Sequence, residues 1–75
     1  MSDVPRVSGK AAIAAFEKAG FDVVRVTGSH HIMKKRGHLH RLSIPVHAGK
    51  TVGEGLLKAQ IKDAGLTIDE FRSYL

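Results

Sequence analysis

Two runs of strand-forming residues, Phe21 to Thr27 and His30 to Lys35, are separated only by Gly28 and Ser29. A two-residue connection of this kind admits little besides an antiparallel hairpin, because glycine supplies the positive φ that such a turn demands. The first run is rich in β-branched residues, which suit a pleated surface. Arg36-Gly37 turns the chain again. Leu39 to Val46 then reads as a third strand, with Leu42 and Ile44 alternating with Arg41 and Ser43. Pro45 has no N–H to give a ladder, so it is expected at the end of that strand or on a sheet edge. The facing of the first strand stays open. Val24 and Val26 oppose Val23 and Arg25, and each pair is partly apolar.

Helical periodicity flanks this meander. Ser8 is a good N-cap, and Ala12, Ile13, Phe16 and Ala19 fall on one face, with Lys10, Glu17 and Lys18 towards solvent. Gly20 stands where a helix C′ residue belongs. After a loop at His47 to Lys50, a second helix is expected from near Val52 to Ala64, with Leu57, Ile61 and Ala64 inward and Gly65 closing it. Gly53 and Gly55 weaken its first turn. Thr67-Ile68-Asp69-Glu70 has the form of a capping box for a short last helix packed through Ile68, Phe71 and Leu75. The order α-β-β-β-α predicts an α+β fold in one domain, residues 1–75, with a three-stranded antiparallel sheet and helices on one face.

At 43% hydrophobic residues the chain is too apolar for a disordered tail, yet 75 residues support only one compact core. Twelve Lys and Arg against seven Asp and Glu give a formal charge of +5, which favours a polyanionic or acidic partner. The absence of Cys excludes disulfides, thiolate catalysis and Cys-based zinc sites. A small domain without covalent staples suits a reducing compartment. The opening Met-Ser-Asp-Val-Pro-Arg does not resemble a signal peptide, and no apolar run approaches the ~20 residues of a membrane span. A soluble, cytoplasmic protein is expected.

Five histidines are present, and His is the side chain best suited to proton transfer near neutral pH. His30 directly follows the Gly28-Ser29 turn at the start of a strand, where a rigid backbone can hold a side chain open to substrate. His31 must point to the opposite face. His38-x-His40 supplies two potential metal ligands, but no neighbouring Cys or carboxylate completes a set. No Asp or Glu occurs between Val23 and Lys50, which disfavours a two-metal nuclease built on clustered carboxylates. The same stretch holds Arg25, Lys34, Lys35, Arg36, Arg41 and Lys50, and Lys58 and Lys62 lie four apart on the second helix. Ordinary solvated faces mix both signs; a one-sign face suits phosphates.

In order and spacing, several pieces resemble the HicA (YcfA-like) toxin family. They are Ser8-Gly9-Lys10, Lys18-Ala19-Gly20-Phe21, Arg25 followed by Gly28-Ser29-His30, Ile44-Pro45-Val46-His47, Gly55 with Leu57, Lys62-Asp63-Ala64-Gly65-Leu66, and Phe71. The resemblance covers nearly the whole chain. It implies a fold like a double-stranded-RNA-binding domain, an mRNA-cleaving endoribonuclease that uses neither metal nor cofactor, and a HicB-type antitoxin as partner. It also implies that the catalytic histidine is that of the Gly-Ser-His motif, here His30. Two positions on the second helix depart from the family pattern: Leu56 replaces a small hydroxyl residue and Gln60 an apolar one.

RNA carries its own nucleophile, the 2′-hydroxyl, so the enzyme need only move protons and steady the charge on phosphorus. A histidine titrating near about 6.5 can serve as general base or general acid without metal. Both roles stay open for His30. Proximity along the chain nominates Arg25, Lys34 and Lys35 for phosphate stabilisation and Ser29 for orienting a phosphate oxygen, while Lys58 and Lys62 extend the RNA-binding face. Two rivals use the same features: a non-catalytic double-stranded-RNA-binding module, and an interaction protein whose basic face docks only on an acidic partner.

Overall fold

The computed structural model describes residues 4–75; Met1 to Asp3, the start of the N-terminal stretch considered above, lie outside them. Helix α1 spans Gly9–Lys18, and Ser8 caps it by accepting from the Ala11 N–H at 3.1 Å. Its other end is a Schellman motif. Gly20 adopts φ +104° and its N–H donates to the Glu17 carbonyl, while the Phe21 N–H donates to the Phe16 carbonyl. That geometry turns Phe21 into the core as the chain enters strand β1, Asp22–Thr27. The same motif ends helix α2, Glu54–Asp63, where Gly65 at φ +75° lets the Leu66 N–H reach the Ile61 carbonyl.

Strands β2, His30–Lys34, and β3, Leu42–Pro45, complete an antiparallel sheet ordered β1-β2-β3. Thr27 pairs with His30 across the expected two-residue turn. Pro45 is the last residue of edge strand β3, where its missing N–H removes nothing from the ladder. β3 is shorter than the Leu39–Val46 run expected from sequence, because His38 leaves the sheet. Its Nε2 bonds the Asp63 carbonyl at 2.6 Å, and its ring packs edge-on against Phe21 at 5.3 Å. Residues 38–41 therefore cross to the end of α2 instead of pairing with β2. Leu39 stands 89% exposed at the tip.

The facing of β1 is decided by a bulge. Val23 pairs with Met33, but the next partner of Arg25 is Ile32, so the register shifts between them. Val23 packs towards the core with Met33, whereas Val24 and Arg25 both reach the opposite face. Neither alternating pair read from the sequence survives intact, since the bulge breaks the period of two.

One contiguous buried cluster joins the helices to one side of the sheet. Phe16, Phe21, Met33, Leu42, Ile44, Leu57, Ile61 and Phe71 are its largest members, and Ala12, Ala15 and Ala64 fill between them. Ile13 and Ala19 pack against it half-buried, and Lys10, Glu17 and Lys18 face solvent. Helix α3, Ile68–Ser73, opens with the capping box: Thr67 Oγ1 accepts from the Glu70 N–H and Glu70 Oε1 from the Thr67 N–H. Leu75, expected in the core, is half exposed. α3 ends at Ser73, so Tyr74, three residues after Phe71, takes the packing position. The architecture is the α+β order expected, with helices on one face of an open three-stranded sheet. Among the described residues no helix is long and apolar enough to cross a membrane.

Gly9 is the most crowded of the glycines, at the approach of α1 to the end of β3. A Cβ built there would collide with the Pro45 carbonyl oxygen and lie 2.9 Å from Val46 Cα, both on backbone. Helix propensity alone predicts that Gly9→Ala stabilises α1 by up to about 1 kcal/mol. The collision reverses the sign. We expect a net loss of about 1–3 kcal/mol, as for other overpacked sites, read as a fall in melting temperature of roughly 4–8 °C per kcal/mol for a domain of this size. A raised melting temperature would show that α1 does not approach the end of β3 this closely.

Candidate active site on the open face of the sheet

The face of the sheet away from the helices holds a shallow hollow of about 810 Å³. Alternation places its side chains: Arg25 and Thr27 come from β1, His30 and Lys34 from β2, and Ser43 from β3, with Arg41 just before that strand. Val24, pushed outward by the bulge, and Ile32 give it an apolar floor. All three charged residues lining it are cations, Arg25, Lys34 and Arg41. The single carboxylate in the strands, Asp22, pairs with Lys34 in the register but does not line the hollow.

His30 opens β2 and is solvent-accessible. Its Nδ1 lies 3.3 Å from Ser43 Oγ, a diagonal contact across β2 and β3, since Pro45 is its direct partner. Ser43 is held from the other side as well. Its backbone N–H, on the outer edge of β3, donates to Gln60 Oε1 at 2.9 Å. Gln60 is 9% exposed and is the one buried polar side chain among the described residues. A polar residue is accommodated at this buried position because an edge N–H needs an acceptor. Leu56 stays on the exposed side of α2.

The other histidines are elsewhere. His31 points to the helix side, half-buried, with Nδ1 3.3 Å from the Ser29 carbonyl oxygen. His38 caps the end of α2, with His40 beside it at 6.1 Å between rings, and His47 lies exposed in the loop after β3. Metal donors do not gather: among the described residues no three His, Cys, Asp or Glu stand close enough to hold an ion.

Of the residues nominated from sequence, the fold brings Arg25, His30 and Lys34 together. Ser29 sits half-buried in the turn beside His30, its carbonyl accepting from the Val46 N–H at 2.8 Å, and its side chain does not line the hollow. Lys35 extends the other way, its Nζ 5.7 Å from the Phe21 ring centroid and its stem against Gly20. Lys58 and Lys62 are exposed on α2, outside the hollow. Arg41 and Ser43 were not nominated, although their alternation with Leu42 and Ile44 already placed them opposite the core. Gln60 left no such signal, because a polar residue on a helix ordinarily faces water.

A lone accessible histidine in a cationic hollow, on an open antiparallel sheet backed by helices, defines a small α+β domain of the double-stranded-RNA-binding type with a site suited to a phosphate-bearing ligand. A family model described as the HicA toxin of bacterial toxin-antitoxin systems matches residues 9–66, a span that includes every residue of the hollow. The chain belongs to the HicA toxin family and is a toxin of a toxin-antitoxin system, which implies an antitoxin partner. No curated protein matches the chain.

Proposed function

We propose that this toxin is an endoribonuclease that cleaves mRNA in the cytoplasm without metal or cofactor, acts through His30, and is neutralised by a HicB-type antitoxin. The observation that supports this most directly is His30 itself, set on a rigid strand beside Arg25, Lys34 and Arg41 with no carboxylate in the hollow. The 2′-hydroxyl beside the scissile phosphate attacks phosphorus and gives up its proton. The bond to the 5′-oxygen breaks and that oxygen takes a proton up, leaving a 2′,3′-cyclic phosphate and a 5′-hydroxyl. His30 moves one of these two protons and solvent water the other. The three cations balance the charge that builds on the phosphate oxygens. Lys35, Lys58, Lys62 and the Ser29 turn meet flanking parts of the RNA instead of the reacting phosphate.

Purified protein incubated with single-stranded RNA in excess EDTA should cut it, and an all-deoxy oligonucleotide of the same sequence should stay intact, because it lacks the nucleophile. Cleavage of the DNA would refute the mechanism. Saturable RNA binding with no cleavage would leave a binding module of the same fold.

Arg25 and Lys34 each neutralise about one phosphate. Releasing fewer counterions flattens the salt dependence, by about 0.7 in the slope of log K against log salt per phosphate on single strands. The double replacement Arg25→Ala, Lys34→Ala should therefore flatten the slope by about 1.4. It is measured by RNA binding in a His30→Ala background, so that the probe survives. An unchanged slope would remove these two residues from the interface.

A further inference from the structure

We infer that Ser43 and Gln60 form a positioning pair that fixes the protonation pattern of the His30 ring, with Nδ1–H donating to Ser43 Oγ and Nε2 left as the nitrogen that exchanges protons. The inference rests on the catalytic reading of His30. Among the described residues the hydrogen bond to the ring is at Nδ1, and it is with a hydroxyl, which can donate or accept. Chemistry decides between the two. As a base, a neutral imidazole working at Nε2 must carry its proton on Nδ1. As an acid, the imidazolium has protons on both nitrogens. In both working forms Nδ1 is a donor, so an acceptor at Ser43 Oγ serves the whole cycle without rearrangement, and the tautomer follows from the bond made by the non-reacting nitrogen.

Gln60 enters because this contact is long for a hydrogen bond at 3.3 Å, so a small displacement of β3 breaks it. β3 has only four residues and pairs with β2 on one side. Its other side is tied to α2 through the Ser43 N–H to Gln60 Oε1 bond, and α2 is anchored in the core on either side of Gln60 by Leu57 and Ile61. Backbone and side chain of the same serine are thus held in opposite directions, one by the buried glutamine and one against the histidine. Ser43 carries the one outward-facing N–H of β3, since Leu42 and Ile44 turn theirs towards β2 and Pro45 has none, so the bond from Gln60 falls on the residue whose side chain meets His30.

The test reads the ring nitrogens of His30 by nitrogen-15 NMR in the RNA-free protein, alongside RNA cleavage under single-turnover and steady-state conditions. The wild type should hold neutral His30 mainly as the Nδ1–H tautomer. Ser43→Ala should shift it towards Nε2–H and lower kcat about tenfold with little change in KM, and Ser43→Thr, which keeps the hydroxyl, should restore both. Gln60→Leu should move the spectrum in the same direction as Ser43→Ala. A wild-type ring protonated mainly at Nε2, or a Ser43→Ala spectrum identical to the wild type, overturns the pair. If Gln60→Leu lowers the melting temperature but leaves the His30 spectrum unchanged, Gln60 is structural only and its half of the inference fails. A wild type that cuts no RNA yet shows the tautomer shifts would sink the ribonuclease reading while leaving the pair standing.

Discussion

His30→Ala should lower the rate of RNA cleavage by about 10²–10⁴-fold, the usual cost of removing a positioned general acid or base, with the fold intact. The fold survives because His30 is accessible and belongs to none of the core contacts, so truncation opens no cavity. Among the described residues its side-chain hydrogen bond is with the Ser43 hydroxyl, which water can satisfy in the mutant. His31 cannot substitute, since adjacent residues of a strand point to opposite faces and its ring is on the helix side. His31→Ala should therefore cut RNA at a rate close to the wild type. Initial rates with circular dichroism on both variants decide the matter. An unchanged rate for His30→Ala, or a swapped result between the two histidines, would move the reaction away from the hollow. Loss of the folded signal in His30→Ala would make the residue structural.

Phe16→Ala should have the largest effect on stability, about 3–5 kcal/mol, the range measured for buried aromatic residues cut to alanine. Phe16 is fully buried and packs against two further aromatic rings, Phe71 at 5.0 Å and Phe21 at 6.2 Å between centroids. It therefore joins three elements: its own helix α1, the entry to β1, and α3. Domains hold about 0.05–0.15 kcal/mol of stability per residue, so the loss removes a large share of what a 75-residue chain has. The melting temperature should fall by more than about 10 °C. A loss below about 1 kcal/mol by denaturant titration would mean that α3 does not depend on this packing. The contrast with His30→Ala separates the two faces of the sheet, one supplying stability and the other chemistry.

Local signals in the sequence were enough wherever the controlling interaction spans only a few residues. The Ser8 cap, the Gly20 and Gly65 helix ends, the Gly28-Ser29 hairpin and the Thr67–Glu70 capping box all lie within about five residues of the groups they bond. Alternation alone separated His30 from His31 and put Arg41 and Ser43 opposite Leu42 and Ile44. The core helix positions Phe16, Leu57 and Ile61 followed from periodicity for the same reason.

What the chain alone did not specify depends on contacts between residues far apart in sequence. The bulge that puts both Val24 and Arg25 on the open face exists only as a mismatch of register with β2. The early exit of the chain at residues 38–41 is decided by the bond between His38 and the end of α2, 25 residues away. The direction of Lys35 is set by where the Phe21 ring happens to lie. Gln60 belongs with these: its burial follows from an edge N–H of β3 that no helical pattern reveals. Periodicity and capping therefore determined the element order, the caps of α1 and α3, the glycine ends of α1 and α2, and the opposite facing of His30 and His31. Helix α2, by contrast, begins at Glu54, two residues later than its apolar spacing suggested. Tertiary pairing decided which cations join it in the hollow and what holds its ring, because those partners meet only once β1, β2, β3 and α2 have packed.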